Sequence, residues 1–246
     1  MGGFFGAVSH QDVTLDIFFG VDYHSHLGTR RGGMIIHDAK DGFQRQIHSI
    51  ENTPFRTKFD TTVGEMVGKC GIGCISDTDP QPLLVRSVHG TYAICVVGVI
   101  QNEEAIIEQM LGDADRHFEA MSGGRVNSNE LVAALISQQP TIAEGIRYAQ
   151  SVVEGTVSVL IMTPDFLIAG RDKMGRLPIH IGQDDEGCCV AFETFASQQM
   201  GYHDAYELGP AEVVKITQDG WETLLPAEKE MRVCAFLWTY YGYPNS

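Results

Sequence analysis

Apolar positions change their period several times along the chain, and each change marks an element. Residues 2–9, Gly-Gly-Phe-Phe-Gly-Ala-Val-Ser, are small and apolar and predict a strand that enters a core at once, whereas most chain ends are polar and frayed. From Asp12 to Leu27 the apolar residues Val13, Leu15, Ile17, Phe18 and Val21 follow a mixed helical spacing. With Asp12 as N-cap and Gly28 as stop, the segment predicts a helix. Met34 to Ile36 predicts a strand, Asp41 and Gly42 a turn, and Phe43 to Ile50 the return strand of a hairpin. Short β signals follow at 71–75, 83–88 and 92–100.

The middle of the chain turns helical. Asn102 is placed to cap a helix through Glu103, Glu104, Ala105, Ile106, Ile107, Met110 and Leu111, with acids in the first turn where they favour the helix dipole. Asn129 or Ser128 is placed to cap a second helix over 131–136, and Thr141 a third running from Ile142 past Val153; Ser122, Gly123 and Gly124 form a loop between the first two. Sheet resumes at Thr156, with Val157, Val159 and Ile161 alternating, a turn at Thr163, Pro164 and Asp165, and a strand over 166–169. Further strands are predicted at 179–182, 188–192, 211–216 and 221–225. No repeat or low-complexity linker divides the order of strands, helices and strands. The pattern predicts one layered α+β domain over 1–246 rather than a parallel βαβ series.

Composition narrows the function. The 246 residues carry a formal charge of −15, with a pI near 4.9, which opposes nucleic acid as a partner, because that affinity comes largely from Lys and Arg. The acids are scattered, as on a solvated surface. No apolar stretch approaches the length needed to cross a bilayer, and no export signal opens the chain. The expected location is therefore the cytoplasm, with Cys70, Cys74, Cys95, Cys188, Cys189 and Cys234 as reduced thiols. Their spacing forms no paired CxxC knuckles, and Cys95 in its apolar run reads as a small buried hydrophobe. His24 and His26 alternate in a way that could share one face, but the remaining ligands of a metal site cannot be named. No metal or cofactor is implied.

Two strings carry candidate chemistry. Removal of Met1 would leave Gly2 as the first residue, with a free α-amine in the arrangement used by enzymes whose first residue is the nucleophile; Gly2 has no side chain to serve. The other string is Arg171, Asp172, Gly175 and Pro178 within residues 169–179. Alone, it reads as a salt-bridged hairpin corner. Together with the opening Gly3, Phe5, Gly6, Ala7, Val8 and Ser9, it resembles the class II glutamine amidotransferase domain, in the form that makes up the amino-terminal half of amidophosphoribosyltransferases. His26 to Gly28 with Gly33 and Met34, Gly98 with Asn102, Glu130, the segment 192–196 around Glu193, the turn 208–212 ending at Glu212, and the tail 234–246 resemble that family's segments in the same order. Leu27 stands where the family's first loop has an arginine.

The resemblance implies a four-layer αββα sandwich of two antiparallel sheets, as in amino-terminal-nucleophile hydrolases. It also implies glutamine as the small-molecule substrate, and a phosphoribosyltransferase domain following in a longer parent protein. Homo-oligomerisation stays open. By the same resemblance an amino-terminal cysteine attacks glutamine and an asparagine and a backbone group stabilise the oxyanion, while an arginine and an aspartate hold the substrate's ionic groups. Here these roles fall on Gly2 for the nucleophile, Val97 and Gly98 for the oxyanion hole, Ser76 for the arginine and Ser128 for the aspartate. The expectation is a domain of the family's architecture that is inactive toward glutamine. The alternative is a non-catalytic module that binds another metabolite or a partner domain. Cys74 is the neighbouring thiol that could replace the nucleophile.

Overall fold

The computed structural model describes residues 2–112, 117–240 and 242. The first strand, β1 (Gly2–Ser9), leads through α1 (Thr14–Tyr23) to the hairpin β2 (Arg31–Asp38) and β3 (Gly42–Ser49). Then come α2 (Phe55–Val63), β4 (Cys70–Ser76), β5 (Leu83–Ser87), β6 (Gly90–Ile100) and α3 (Glu103–Leu111). A small hairpin of β7 (Met121–Ser122) and β8 (Arg125–Val126) precedes α4 (Ser128–Ile136) and α5 (Ile142–Val152). Four strands follow: β9 (Gly155–Met162), β10 (Leu167–Gly170), β11 (His180–Gln183) and β12 (Gly187–Ala191). The described chain ends with α6 (Thr194–Gln199), β13 (His203–Glu207), β14 (Val213–Thr217), β15 (Gly220–Leu225) and α7 (Ala235–Tyr240).

Two antiparallel sheets stack. The seven-stranded sheet has the order β13-β11-β12-β1-β4-β2-β3 and the six-stranded sheet the order β15-β14-β10-β9-β6-β5. Between them lies a core that includes Phe4, Val8, Ile72, Cys95, Leu160 and Val190. Helices α1, α2 and α6 cover the outer face of the larger sheet through Phe5, Ile17, Phe55 and Phe59, and α3, α4 and α5 cover the smaller one through Ile106, Leu131 and Ile146. The result is the four-layer α+β sandwich that the resemblance implies. Because β1 is sandwiched on both faces, every residue from Gly2 to Ser9 is buried, and the run up to Val8 is small and apolar rather than alternating. Glycine lets α1 lie close: a β-carbon at Gly73 would stand 2.4 Å from Val21, and one at Gly20 would stand 2.3 Å from the Phe5 ring. No helix among the described residues is long and apolar enough to cross a membrane.

Several local expectations need correction. Helix α1 stops at Tyr23, and Ser25–Leu27 forms a separate 3-10 turn before Gly28. Asp12 still supports its start by accepting hydrogen bonds from the Thr14 N–H (3.2 Å) and hydroxyl (2.7 Å). The cap of α4 is Asn127, whose side chain accepts from the Asn129 N–H at 2.8 Å, neither Ser128 nor Asn129. Asn102 stands before α3 without a capping bond; its amide instead donates to Val152 O (2.9 Å) and accepts from Glu154 N–H (2.9 Å), fastening the end of α5. Thr141 caps α5 and exchanges hydrogen bonds with Glu144. The loop at 122–124 is the turn of the β7–β8 hairpin, with Gly123 and Gly124 at φ of +61° and +83°. Helix α2, helix α6 and strand β13 are elements the apolar pattern did not mark.

Candidate functional site

A cavity of about 250 Å³ opens where the start of β1 lies beside the end of β4. Gly2, Ser76 and Thr78 form one side, Gln81 and residues 96–99 of β6 another, and Thr156, Arg176, Leu177 and Cys234 close it. Gly2, Ser76, Val97 and Gly98 are thus brought together by three strands. Ser128 is not: it begins α4, outside the cavity wall.

Each wall position has a backbone cause. Gly2 pairs with Ser76 across β1 and β4, and a β-carbon on Gly2 would stand 2.5 Å from the Ile75 carbonyl oxygen. Real β-carbons essentially never approach a backbone oxygen this closely, so the position has no room for a side chain without a backbone shift. On β6, Gln81 pairs with Val96 as a neighbouring strand would, accepting its N–H at 2.9 Å and donating to its carbonyl at 3.1 Å. Strand groups alternate in direction. Val99 therefore gives its N–H to Thr156 Oγ1 (3.0 Å) on the β9 side, and Gly98 presents its N–H on the opposite edge, the one where Gln81 sits. A β-carbon at Gly98 would stand 2.0 Å from Thr156 O. Gly98 thus offers a backbone donor beside the cavity, whereas Val97 offers only an aliphatic side chain.

Charges stand near Ser76 and Ser128 without lining the cavity. Ser76 Oγ accepts the N–H groups of Thr78 and Asp79, each at 3.2 Å, and Asp79 accepts the Ser128 N–H at 3.3 Å. Asp79 therefore stands between the two serines, and Ser128 reaches the site only through it. Arg31 is the β2 partner of Ser76 and donates to Thr78 O at 2.5 Å and Ser122 Oγ at 3.4 Å. Neither Asp79 nor Arg31 was marked by the sequence.

The Arg-Asp-Gly-Pro string builds the wall beside Leu177. Arg171, 2% exposed, donates to Leu177 O (2.8 Å), Gly175 O (2.9 Å), Leu208 O and the Glu207 carboxylate (2.8 Å). Asp172 accepts the N–H groups of Met174 (3.2 Å) and Arg176 (2.7 Å). The string is more than a salt-bridged corner: it is a buried knot that holds the loop over 172–178. Arg176 lines the cavity, donates to Gly155 O at 2.7 Å and lies 3.7 Å from Asp172. Among the described residues it is the one charged side chain on the wall.

The cysteines divide clearly. Cys74 is fully buried between the sheets with its thiol against Ile75 O at 3.2 Å, so it cannot serve the cavity. Burial pushes the thiols of Cys70, Cys95 and Cys189 up and that of Cys188 up to about 11, which keeps them protonated. Cys234, half-buried, lines the cavity, with its N–H on Arg176 O at 3.0 Å. Among the described residues no histidine or carboxylate lines the same wall to act as its base.

Other segments of the resemblance have structural roles. Glu130 accepts the N–H groups of Glu119 and Ala120 at 2.9 and 2.8 Å. Glu212 accepts from Tyr206, Gly209 and Thr223. Glu193, 2% exposed, stands 2.9 Å from His26. Of the tail segment 234–246, residues 241 and 243–246 lie outside the described residues, as does Met1. Among the described residues no group of three or more His, Cys, Asp or Glu could hold a metal ion.

No protein-family model matches the chain. It is 27% identical over 233 residues to an amidophosphoribosyltransferase from Methanocaldococcus jannaschii, covering 89% of this chain and 48% of that protein. It is 25% identical over 256 residues to the amidophosphoribosyltransferase of Bacillus subtilis, covering 99% of this chain and 52% of that one. Among solved structures, the glutamine phosphoribosylpyrophosphate amidotransferase from B. subtilis complexed with ADP and GMP superimposes with a TM-score of 0.85 at 24% identity, over 99% of this chain and 53% of that one. The allosteric regulatory enzyme of purine biosynthesis does so with a TM-score of 0.84, over 98% and 53%. The chain spans about half the length of these relatives. In sequence and in fold it is a homologue of their amino-terminal, class II glutamine amidotransferase half.

Proposed function

We propose that this homologue of amidophosphoribosyltransferases is a glutamine-amidotransferase-type domain that has kept its cleft and lost the hydrolysis of glutamine. One observation carries the reading: the nucleophile position, Gly2, has no side chain and no space for one. Amide hydrolysis through a covalent path needs a nucleophile and a base within hydrogen-bond reach. The cavity's thiol, Cys234, has no side-chain base on its wall among the described residues. Beside it, Val97 and Ser76 replace an oxyanion donor and a cation, and loss of one such donor typically costs a hundred- to a thousandfold in rate. Ser128 withdraws the third charge. The reading makes the chain a pseudoenzyme of purine biosynthesis, one domain of a longer protein whose partner is a phosphoribosyltransferase domain. Six free cysteines suit the cytoplasm.

The test is glutamate release from glutamine by the purified chain. Release no greater than that of a heat-treated sample is expected; release well above it overturns the reading.

A second role is favoured by the survival of the cavity itself, with Gly98 and Arg176 still offering donors on its wall. In this role the domain binds a metabolite without converting it. A ligand that binds only the folded state raises the unfolding temperature by mass action. Stabilisation by a compound other than an amino acid, with none by glutamine, is the expected pattern.

A further inference from the structure

We infer that the cavity beside Gly2 is a binding site for a small aliphatic monocarboxylate that lacks an α-amino group. The inference rests on the reading that this pocket no longer takes glutamine, and it follows from what the wall offers.

The polar side chains of the wall present hydrogen-bond donors. Arg176 uses Nη1 on Gly155 O, and among the described residues its Nε and Nη2 have no protein acceptor. Gly98 presents its N–H on the edge of β6 away from β9. Ser76 Oγ accepts two backbone N–H groups, so its lone pairs are in use and its proton is left to give, to Thr78 Oγ1 at 3.4 Å or into the cavity. Thr156 Oγ1 accepts one N–H and keeps both a proton and a lone pair. Gln81 is closed on Val96 at both ends of its amide. A guanidinium with a neighbouring N–H suits a carboxylate, to which Arg offers a planar fork.

An ammonium group finds no counterpart. Among the described residues no carboxylate lines the cavity. The nearby acids have partners of their own: Asp172 accepts the Met174 and Arg176 N–H groups, Asp79 that of Ser128, and Asp77 that of Thr29. An amino acid would bring its positive charge into a wall of donors, where an unpaired charge is costly.

Size and polarity complete the class. A cavity of about 250 Å³ holds about eight water-sized units at roughly 30 Å³ each, which fits a short branched acid. Val97, Val99 and Leu177 supply the apolar surface against which its alkyl group would lie.

The experiment is calorimetric titration of the chain with isovalerate, isovaleramide and glutamine, together with the rate at which iodoacetamide alkylates Cys234, the half-buried thiol on the cavity wall. Isovalerate is expected to bind about tenfold or more tightly than isovaleramide, the difference a charge-assisted pair supplies, and to slow alkylation of Cys234. Arg176→Gln is expected to bring the acid down to the affinity of the amide. Equal binding of acid and amide to the unaltered chain would overturn the carboxylate assignment while leaving a binding cavity. Binding of isovalerate without protection of Cys234 would place it elsewhere and overturn the site. Binding of none of the three overturns the inference, whereas glutamine binding as tightly as isovalerate overturns the reading on which it rests.

Discussion

Gly2 is pressed so closely against Ile75 that a β-carbon on it would stand 2.5 Å from the Ile75 carbonyl oxygen. The absence of a side chain at Gly2 is therefore part of the packing of β1 on β4, since those two strands pair from Gly2 to Val8. Restoring a cysteine at this place means moving a strand that is sandwiched between two layers. Gly2→Cys is expected to leave glutamate release at background and to lower stability by about 1–3 kcal/mol, the usual cost of overpacking. A glutaminase assay and a urea titration on the same preparation check both. Recovered hydrolysis would mean that the neighbouring substitutions are harmless.

Gly98 has the same constraint in a stronger form. Its β-carbon would stand 2.0 Å from Thr156 O, in the middle of the β6–β9 ladder. Gly98→Ala must push the two strands apart, and a fall of roughly 5–10 °C in the unfolding midpoint is expected. Differential scanning calorimetry measures it directly. An unchanged midpoint would show that the ladder yields there at little cost.

The relation between pattern and fold explains which parts of this architecture can be read from the sequence. Strands β1, β6 and β9 are buried along most of their length, so their apolar runs are conspicuous. Register follows from them, which is why Gly2, Ser76, Val97 and Gly98 meet. Helix α2 is hidden because only Phe55 and Phe59 of its nine residues are buried, too few for a helical period. Strand β13 is hidden because it is mostly exposed and polar. At the site, Ser128 is displaced because Asn127 sets the start of α4 and Asp79 comes between it and Ser76. Arg176 and Cys234 reach the cavity on loops whose path depends on the knot around Arg171. Such long-range closure leaves no periodic trace.

That knot makes its own prediction. The Arg171 guanidinium donates to the carbonyls of Leu177, Gly175 and Leu208 and to Glu207, from a position 2% exposed. Arg171→Met keeps the length of the stem and leaves those buried carbonyls without their donor. Removing one partner from a buried charged network typically costs about 3–5 kcal/mol, and a loss of this size in urea unfolding is expected. Because the same loop carries Arg176 and Leu177 into the cavity wall, the variant should also alkylate faster at Cys234. A loss below about 1 kcal/mol would mean that water replaces the guanidinium.

His24 links the interior to pH. The ring is fully buried, its Nδ1 lies 2.7 Å from Gly20 O and its Nε2 has no partner among the described residues, so the neutral ring with a proton on Nδ1 fits the site. Burial pulls its pKa below the ordinary value, and the pull outweighs the opposite effects of the Gly20 hydrogen bond and of Glu193, while His26 adds to it. Burial likewise lowers His180, against the attraction of Glu207 and Asp204. The sign follows from linkage: below the ordinary value of 6.5 the unfolded imidazoles take up protons that the folded ones refuse. Their contribution to stability is therefore complete above that pH and is lost as pH falls toward the folded values. Each group adds at most about 1.4 kcal/mol per pH unit. Urea unfolding between about pH 7.5 and about pH 5.5 should show stability falling with acidification. His24→Gln, which keeps a donor for Gly20 O, should measurably lessen that slope, and a slope unaltered by the substitution would mean that His24 titrates alike in the folded and unfolded protein.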